Sequence, residues 1–143
     1  IMTYQARDIA EYIINREASQ GRTVSNLRLQ KLLYFVQAQF IVQKDSPCFT
    51  QRMEAWDYGP VVPEVYHAYK FFGSNAIPCT RTSARIDEAA KALIDSMLDS
   101  CSEYSTSTLV DMTHAQDPWK MAYQNVFDNE ITVAAMCRYF KEA

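Results

Sequence analysis

The segment LRLQKLLYFVQAQF, residues 27–40, decides the fold. Its apolar residues recur at intervals of three and four positions, which is the spacing of one face of an α-helix. They are Leu29, Leu32, Leu33, Val36 and Phe40. Ser25 or Asn26 is suited to cap the start of this helix. The opposite face, which we interpret as mainly solvent-exposed, carries Arg28, Gln30, Lys31, Tyr34 and Gln37.

Similar patterns predict further helices on both sides of this segment. The first helix is expected over residues 4–19, with Thr3 as its cap and Gly21 after its end. Asp87 is expected to cap another helix, and Pro118 is placed in the first turn of a later one. The remaining helices are expected over residues 63–72, 106–113 and 132–140.

The stretch between the second and third helices has a different character. Turn residues are followed by Met53-Glu54-Ala55-Trp56, a short alternating piece that resembles a strand. Gly59 and Pro60 then predict a rigid corner, because proline fixes its own φ and glycine tolerates unusual dihedrals. The expected fold class is therefore mainly α, a compact bundle of six to seven helices, with room for one short β-hairpin around residues 48–58. We expect residues 2–143 to form a single domain.

The net charge argues against nucleic acid as a partner, and the hydropathy pattern argues against a membrane. The formal net charge is −3, whereas binding to nucleic-acid phosphates normally rests on clustered lysine and arginine. No apolar run approaches the roughly 18 residues that a membrane helix requires. We therefore expect a cytoplasmic protein without a membrane partner, and we disfavour nucleic acid as a partner.

Candidate catalytic and metal-binding residues are few and scattered. His67 and His114 lie far apart in the sequence, and neither stands at a metal-ligand spacing. The cysteines form no C-x-x-C pair, and three scattered glycines cannot supply a phosphate-binding loop. We expect no enzymatic activity, no metal and no cofactor.

Aromatic residues are concentrated just around the predicted corner. A single helix cannot direct all of these rings into one core, so some should be half-buried at the surface or available to a protein partner. The rings are Trp56, Tyr58, Tyr66, Tyr69, Phe71 and Phe72. We select Gln37, Tyr69 and Phe72 as candidate partner contacts.

Three motifs in this order resemble the Panacea domain family. They are L-x-L-Q-K-L-L-Y from Leu27, A-W-x-x-G-P-V from Ala55, and T-H-x-x-x-P-W from Thr113, and the resemblance extends over almost the whole chain. The motif residues that could act as scaffold or as partner contacts are Leu29, Gln30, Lys31, Leu32, Tyr34, Trp56, Gly59, Pro60, Val61, Tyr66, His114, Pro118 and Trp119.

The resemblance implies a mostly helical, non-catalytic antitoxin from a bacterial or prophage toxin–antitoxin pair, which binds and neutralises its toxin. It also implies an alternative, because one characterised type is an adapter that delivers its toxin to an ATP-dependent protease. A nucleic-acid-binding regulator is a further alternative. We favour a structural role for Gln30, Lys31 and Tyr34, since a motif shared by domains that bind many toxins is more naturally scaffold. The sequence leaves the toxin and the oligomeric state open.

Overall fold

The computed structural model describes residues 3–81 and 84–142, which form seven α-helices and one antiparallel β-hairpin. The prediction of a mainly α fold with a short hairpin is confirmed. A 3₁₀ turn, Lys70–Phe72, continues α3. The elements are α1 Ala6–Ser19, α2 Asn26–Lys44, β1 Glu54–Trp56, β2 Gly59–Val61, α3 Pro63–Tyr69, α4 Glu88–Cys101, α5 Thr106–His114, α6 Asp117–Gln124 and α7 Val133–Glu142.

Helix α2 lies at the centre and packs against α1, α3, α4, α5, α7 and β2. Because neighbours surround it, thirteen of its 19 residues are buried, including most of its polar face. The prediction that this polar face is solvent-exposed is therefore wrong. Its buried polar members are Gln30, Lys31, Tyr34 and Gln37.

Side-chain caps fix several helix starts. The Oγ of Ser25 accepts a hydrogen bond from the Arg28 amide, which confirms Ser25 as the cap of α2. Asp87 likewise caps α4. Helix α1 differs from the prediction: it begins at Ala6, because the Tyr4 amide is used to bond the Cys48 carbonyl in a strand-like bridge. Its N-cap is therefore at position 5 rather than Thr3.

The hairpin lies nearer the C-terminus than residues 48–58. Its register pairs Glu54 with Val61 and Trp56 with Gly59, so the turn is formed by residues 57 and 58. Gly59 and Pro60 thus belong to the second strand rather than to a corner after it. On the other side of β1, the Ala55 amide donates to the carbonyl of residue 129, and residue 131 bonds back to residue 53.

No helix within residues 3–81 and 84–142 combines the length and the apolar character needed to cross a membrane.

Gly59 is the glycine at which a side chain would do most damage. Its φ is +102°, and an added Cβ would lie 2.8 Å from Thr113 Oγ1 and 2.9 Å from Lys31 Cε. Gly21 also has a positive φ, of +74°, but an added Cβ there would meet nothing within 4 Å.

We expect Gly59→Ala to lower the free energy of unfolding by at least ~1 kcal/mol more than Gly21→Ala, because only the first adds a clash to the backbone strain. Urea unfolding of both variants measures the difference. Equal losses would show that the contact between the hairpin, α2 and α5 is looser than described.

Candidate partner-binding surface

Two adjacent side chains of α2 hold the outer edge of β2. Gln30 Oε1 accepts a hydrogen bond of 2.9 Å from the Val62 amide, and Lys31 Nζ donates one of 2.6 Å to the Pro60 carbonyl. Backbone groups buried at a sheet edge must find partners. Here a helix supplies them through side chains, so α2 takes the place of a neighbouring strand.

The amide of Gln30 extends this network to α3. Gln30 Nε2 donates to Asn26 Oδ1 at 2.9 Å, and Asn26 Nδ2 donates to the Tyr66 carbonyl at 3.1 Å. Both amide side chains are buried. The start of α2 therefore fixes the hairpin and α3 relative to each other.

Lys31 is fully buried beneath the hairpin. Burial disfavours the charged ammonium and lowers the pKa of Lys31 to about 7. A substantial fraction of the amine is therefore neutral near neutral pH. A neutral amine still donates to the Pro60 carbonyl, so the contact can persist in both protonation states.

The tip of the hairpin is held by α5 and α6. His114 Nε2 donates to the Asp57 carbonyl at 2.9 Å, and Trp119 Nε1 donates to the Trp56 carbonyl at 2.8 Å. The His114 and Trp119 rings lie 4.3 Å apart between centroids, and Tyr123 stacks on Trp119 at 4.4 Å. Tyr123 also donates to the Asp57 carboxylate.

Further along α2, polar side chains tie down other parts of the chain. Tyr34 donates to Gln116 Oε1 at 2.7 Å. Gln37 Oε1 accepts from the amides of Cys48 and Phe49, while its Nε2 donates to the Phe49 carbonyl. Gln37 thereby supplies hydrogen-bond partners to the backbone groups of the bend that follows α2.

The structure places the motif residues mostly inside the protein. Leu29 and Leu32 are core residues, Val61 and Pro118 are buried, and Trp56 and Tyr66 are half-buried with ring centroids 5.0 Å apart. The network around β2 brings together Gln30, Lys31, Gly59, Pro60, Trp56, His114 and Trp119.

Two of the three candidate partner contacts need correction. Gln37 and Tyr69 are buried, and Phe72 is half-buried against the core, so the prediction of outward-facing side chains is wrong for the first two. Tyr69 is buried because it lies four residues after the buried Val65, on the same face of α3. Phe71 is the ring that projects outward, with 91% of its surface exposed.

A groove of about 680 Å³ opens between the start of α2, the hairpin and the 3₁₀ turn. Leu27, Trp56, Tyr58 and Tyr66 contribute apolar surface, and Tyr58 is 70% exposed. Sequence reasoning missed the groove because its walls come from segments distant in sequence. The other lining residues are Asn26, Gln30, Ala55, Asp57, Val61, Lys70, Gly73, Ser74 and Asn129.

The comparisons identify the family. Residues 29–120 match the family described as "Antitoxin SocA-like, Panacea domain". The chain belongs to the Panacea domain family. It is also 32% identical over 127 residues to Antitoxin SocA of Caulobacter vibrioides strain NA1000 / CB15N, a match that covers 80% of this chain and 68% of that protein. No solved structure matches significantly.

The matched part of this Panacea domain contains the whole hairpin and most of the elements that hold it. It extends from Leu29 in α2 to Lys120 in α6. Helix α7 lies outside it but packs against α2. Among residues 3–81 and 84–142, no cluster of three or more His, Cys, Asp or Glu side chains could hold a metal ion.

Replacing Gln30 should show how much its hydrogen bonds contribute to the stability of the protein. Gln30→Leu leaves the buried backbone amide of Val62 and the side-chain Oδ1 of Asn26 without their partner, so we expect the free energy of unfolding to fall by about 1–3 kcal/mol. Gln43→Leu, the same change at an exposed position of α2, should change it by less than ~0.5 kcal/mol. Comparable urea midpoints for the two variants would contradict the network.

Lys31 should make stability depend on pH. Its pKa is about 7 in the folded protein and 10.5 ordinarily, so between these values the unfolded chain binds more protons. Stability contributed by this group therefore rises as pH increases through that window and is lowest below it. We expect Lys31→Met to remove this slope, whereas Lys44→Met, an exposed change on the same helix, should keep it.

Urea unfolding of the wild type and both variants between pH 6 and pH 9 checks this. Because the wild type and Lys31→Met share every other titrating group, the difference between their two curves isolates Lys31. Parallel curves for the wild type and Lys31→Met would contradict the lowered pKa.

Proposed function

We propose that this chain is a non-catalytic antitoxin that neutralises a protein toxin by binding it directly. Family membership supports the antitoxin role, since the relative from Caulobacter vibrioides carries that name at 32% identity. Direct binding is favoured by one observation above the others, which is the groove beside the hairpin.

The groove suits an apolar side chain of a protein partner. Its buried polar residues, Asn26 and Gln30, are already hydrogen-bonded to each other and to the neighbouring backbone. In the described part of the chain, no buried side-chain nitrogen or oxygen lacks a hydrogen-bond partner. The groove therefore offers mainly apolar walls, and aromatic residues in such positions commonly provide binding hot spots.

The buried motif residues then act as scaffold, and exposed residues at the rim of the groove make the contacts. Lys31 is buried beneath the hairpin, and Gly59 and Pro60 are buried within its second strand. None of the three can reach a partner unless the hairpin moves away. Tyr58 and Leu27, by contrast, combine exposure with a place on the groove wall. This division allows one scaffold to present different contact residues.

Co-expression with the product of each adjacent reading frame tests the function. We expect one product to arrest growth when expressed alone, and this chain to restore growth and co-purify with it. Absence of both toxicity and complex formation would overturn the proposal. A toxin that disappears in the presence of the chain, with a shortened half-life, would instead indicate delivery to a protease.

Groove variants test the binding surface. We expect the double change Leu27→Ser, Tyr58→Ser to weaken the purified complex by at least ~10-fold, because it removes apolar contact area at a hot spot. Val42→Ser is the control, since Val42 is partly exposed on the same helix about 22 Å farther along its axis. Equal dissociation constants for the double variant and wild type would exclude the groove.

A further inference from the structure

The connection between α6 and α7 displays two apolar side chains to solvent. Val126 is 87% exposed and Phe127 is 94% exposed. Isolated exposed apolar residues are ordinary, but two neighbours at nearly full exposure are not explained by packing. We refer to residues 125–130, which carry them, as the α6–α7 loop.

Hydrogen bonds hold this loop in a defined shape. Asn125 Oδ1 accepts from the amides of Phe127 and Asp128, at 2.9 and 3.3 Å. The Asp128 carboxylate in turn accepts from the Glu130 amide and pairs with Arg52. The apolar pair is thus presented by an ordered turn, which lowers the conformational entropy lost when it binds.

The α6–α7 loop is continuous with the groove. The Asn129 carbonyl accepts from the Ala55 amide of β1 at 2.9 Å, and the Asn129 side chain lines the groove. The exposed pair therefore lies two and three residues from the groove wall. A single partner that extends from the groove along this loop would contact both features.

The surroundings of the pair carry excess negative charge. Arg52 is bonded to Glu54, Asp128 and Glu130. One guanidinium against three carboxylates leaves a net charge of −2. A partner surface that meets this cluster is favoured when it is positively charged, since complementary potentials speed association and exclude like-charged partners.

We propose that the α6–α7 loop is a second anchor for the toxin, in which Val126 and Phe127 enter an apolar pocket bordered by lysine or arginine side chains. This inference rests on the proposed function and deepens it by specifying the chemistry of the partner surface. The pocket accepts the apolar pair, and its basic border faces Glu54, Asp128 and Glu130.

The test uses the full chain and the purified product of the toxic adjacent reading frame. We expect Val126→Ser and Phe127→Ser each to weaken the complex, with at least ~10-fold loss for Phe127→Ser. Val42→Ser is the matched valine control and should bind like the wild type. Thermal melting should be unchanged in the two loop variants, because the side chains of Val126 and Phe127 are almost fully exposed.

Two matched variants test whether the partner surface must be positively charged. Glu130→Gln removes one negative charge from the end of the α6–α7 loop, whereas Glu88→Gln removes one from α4, where Glu88 pairs with Lys91. At low salt we expect Glu130→Gln to slow association about 2–5-fold and Glu88→Gln to leave the rate unchanged. The difference should shrink as salt rises.

The outcomes separate the two proposals. If groove variants weaken the complex while Val126→Ser and Phe127→Ser bind normally, the second anchor is overturned and the antitoxin function stands. If the loop variants bind weakly but Glu130→Gln and Glu88→Gln behave alike, the basic border is wrong. If no adjacent product forms a complex, the proposed function fails and the second anchor fails with it.

Discussion

The structure depends on the contact between the two buried side chains of α2 and the edge of β2. A hairpin with two three-residue strands is not stable by itself in water, because it buries too little surface to offset the entropy of ordering. Here Gln30 and Lys31 provide hydrogen-bond partners for the backbone at the outer edge of β2. The segment around residue 130 does the same for the outer edge of β1. The hairpin can then project its turn and form one wall of the groove.

Local patterns predicted the helices well and the environment of α2 poorly. Apolar spacing and caps such as Ser25 and Asp87 are properties of short segments, so they can be read without knowledge of the fold. The burial of Lys31 and Gln37 depends on distant backbone groups at residues 60 and 48–49. A polar side chain with a specific buried partner is indistinguishable, in sequence, from one that faces water.

The site was predictable to a similar, limited extent. The family motifs identified residues that the fold does bring together around the hairpin, including Lys31, Gly59 and His114. They did not identify the exposed pair Val126 and Phe127, because apolar residues in sequence usually indicate a core. Tyr69, which we selected as a partner contact, is buried because it shares one face of α3 with the buried Val65.

Burying a lysine under the hairpin lowers stability, but the position of Lys31 gives the hairpin a specific register. An apolar side chain in place of Lys31 would avoid the desolvation penalty but could not bond the Pro60 carbonyl. Because Gln30 and Lys31 bond fixed backbone groups, a shift of the hairpin by one residue would leave both unpaired. The polar contacts therefore select one register, and that register sets the position of Tyr58 on the groove wall.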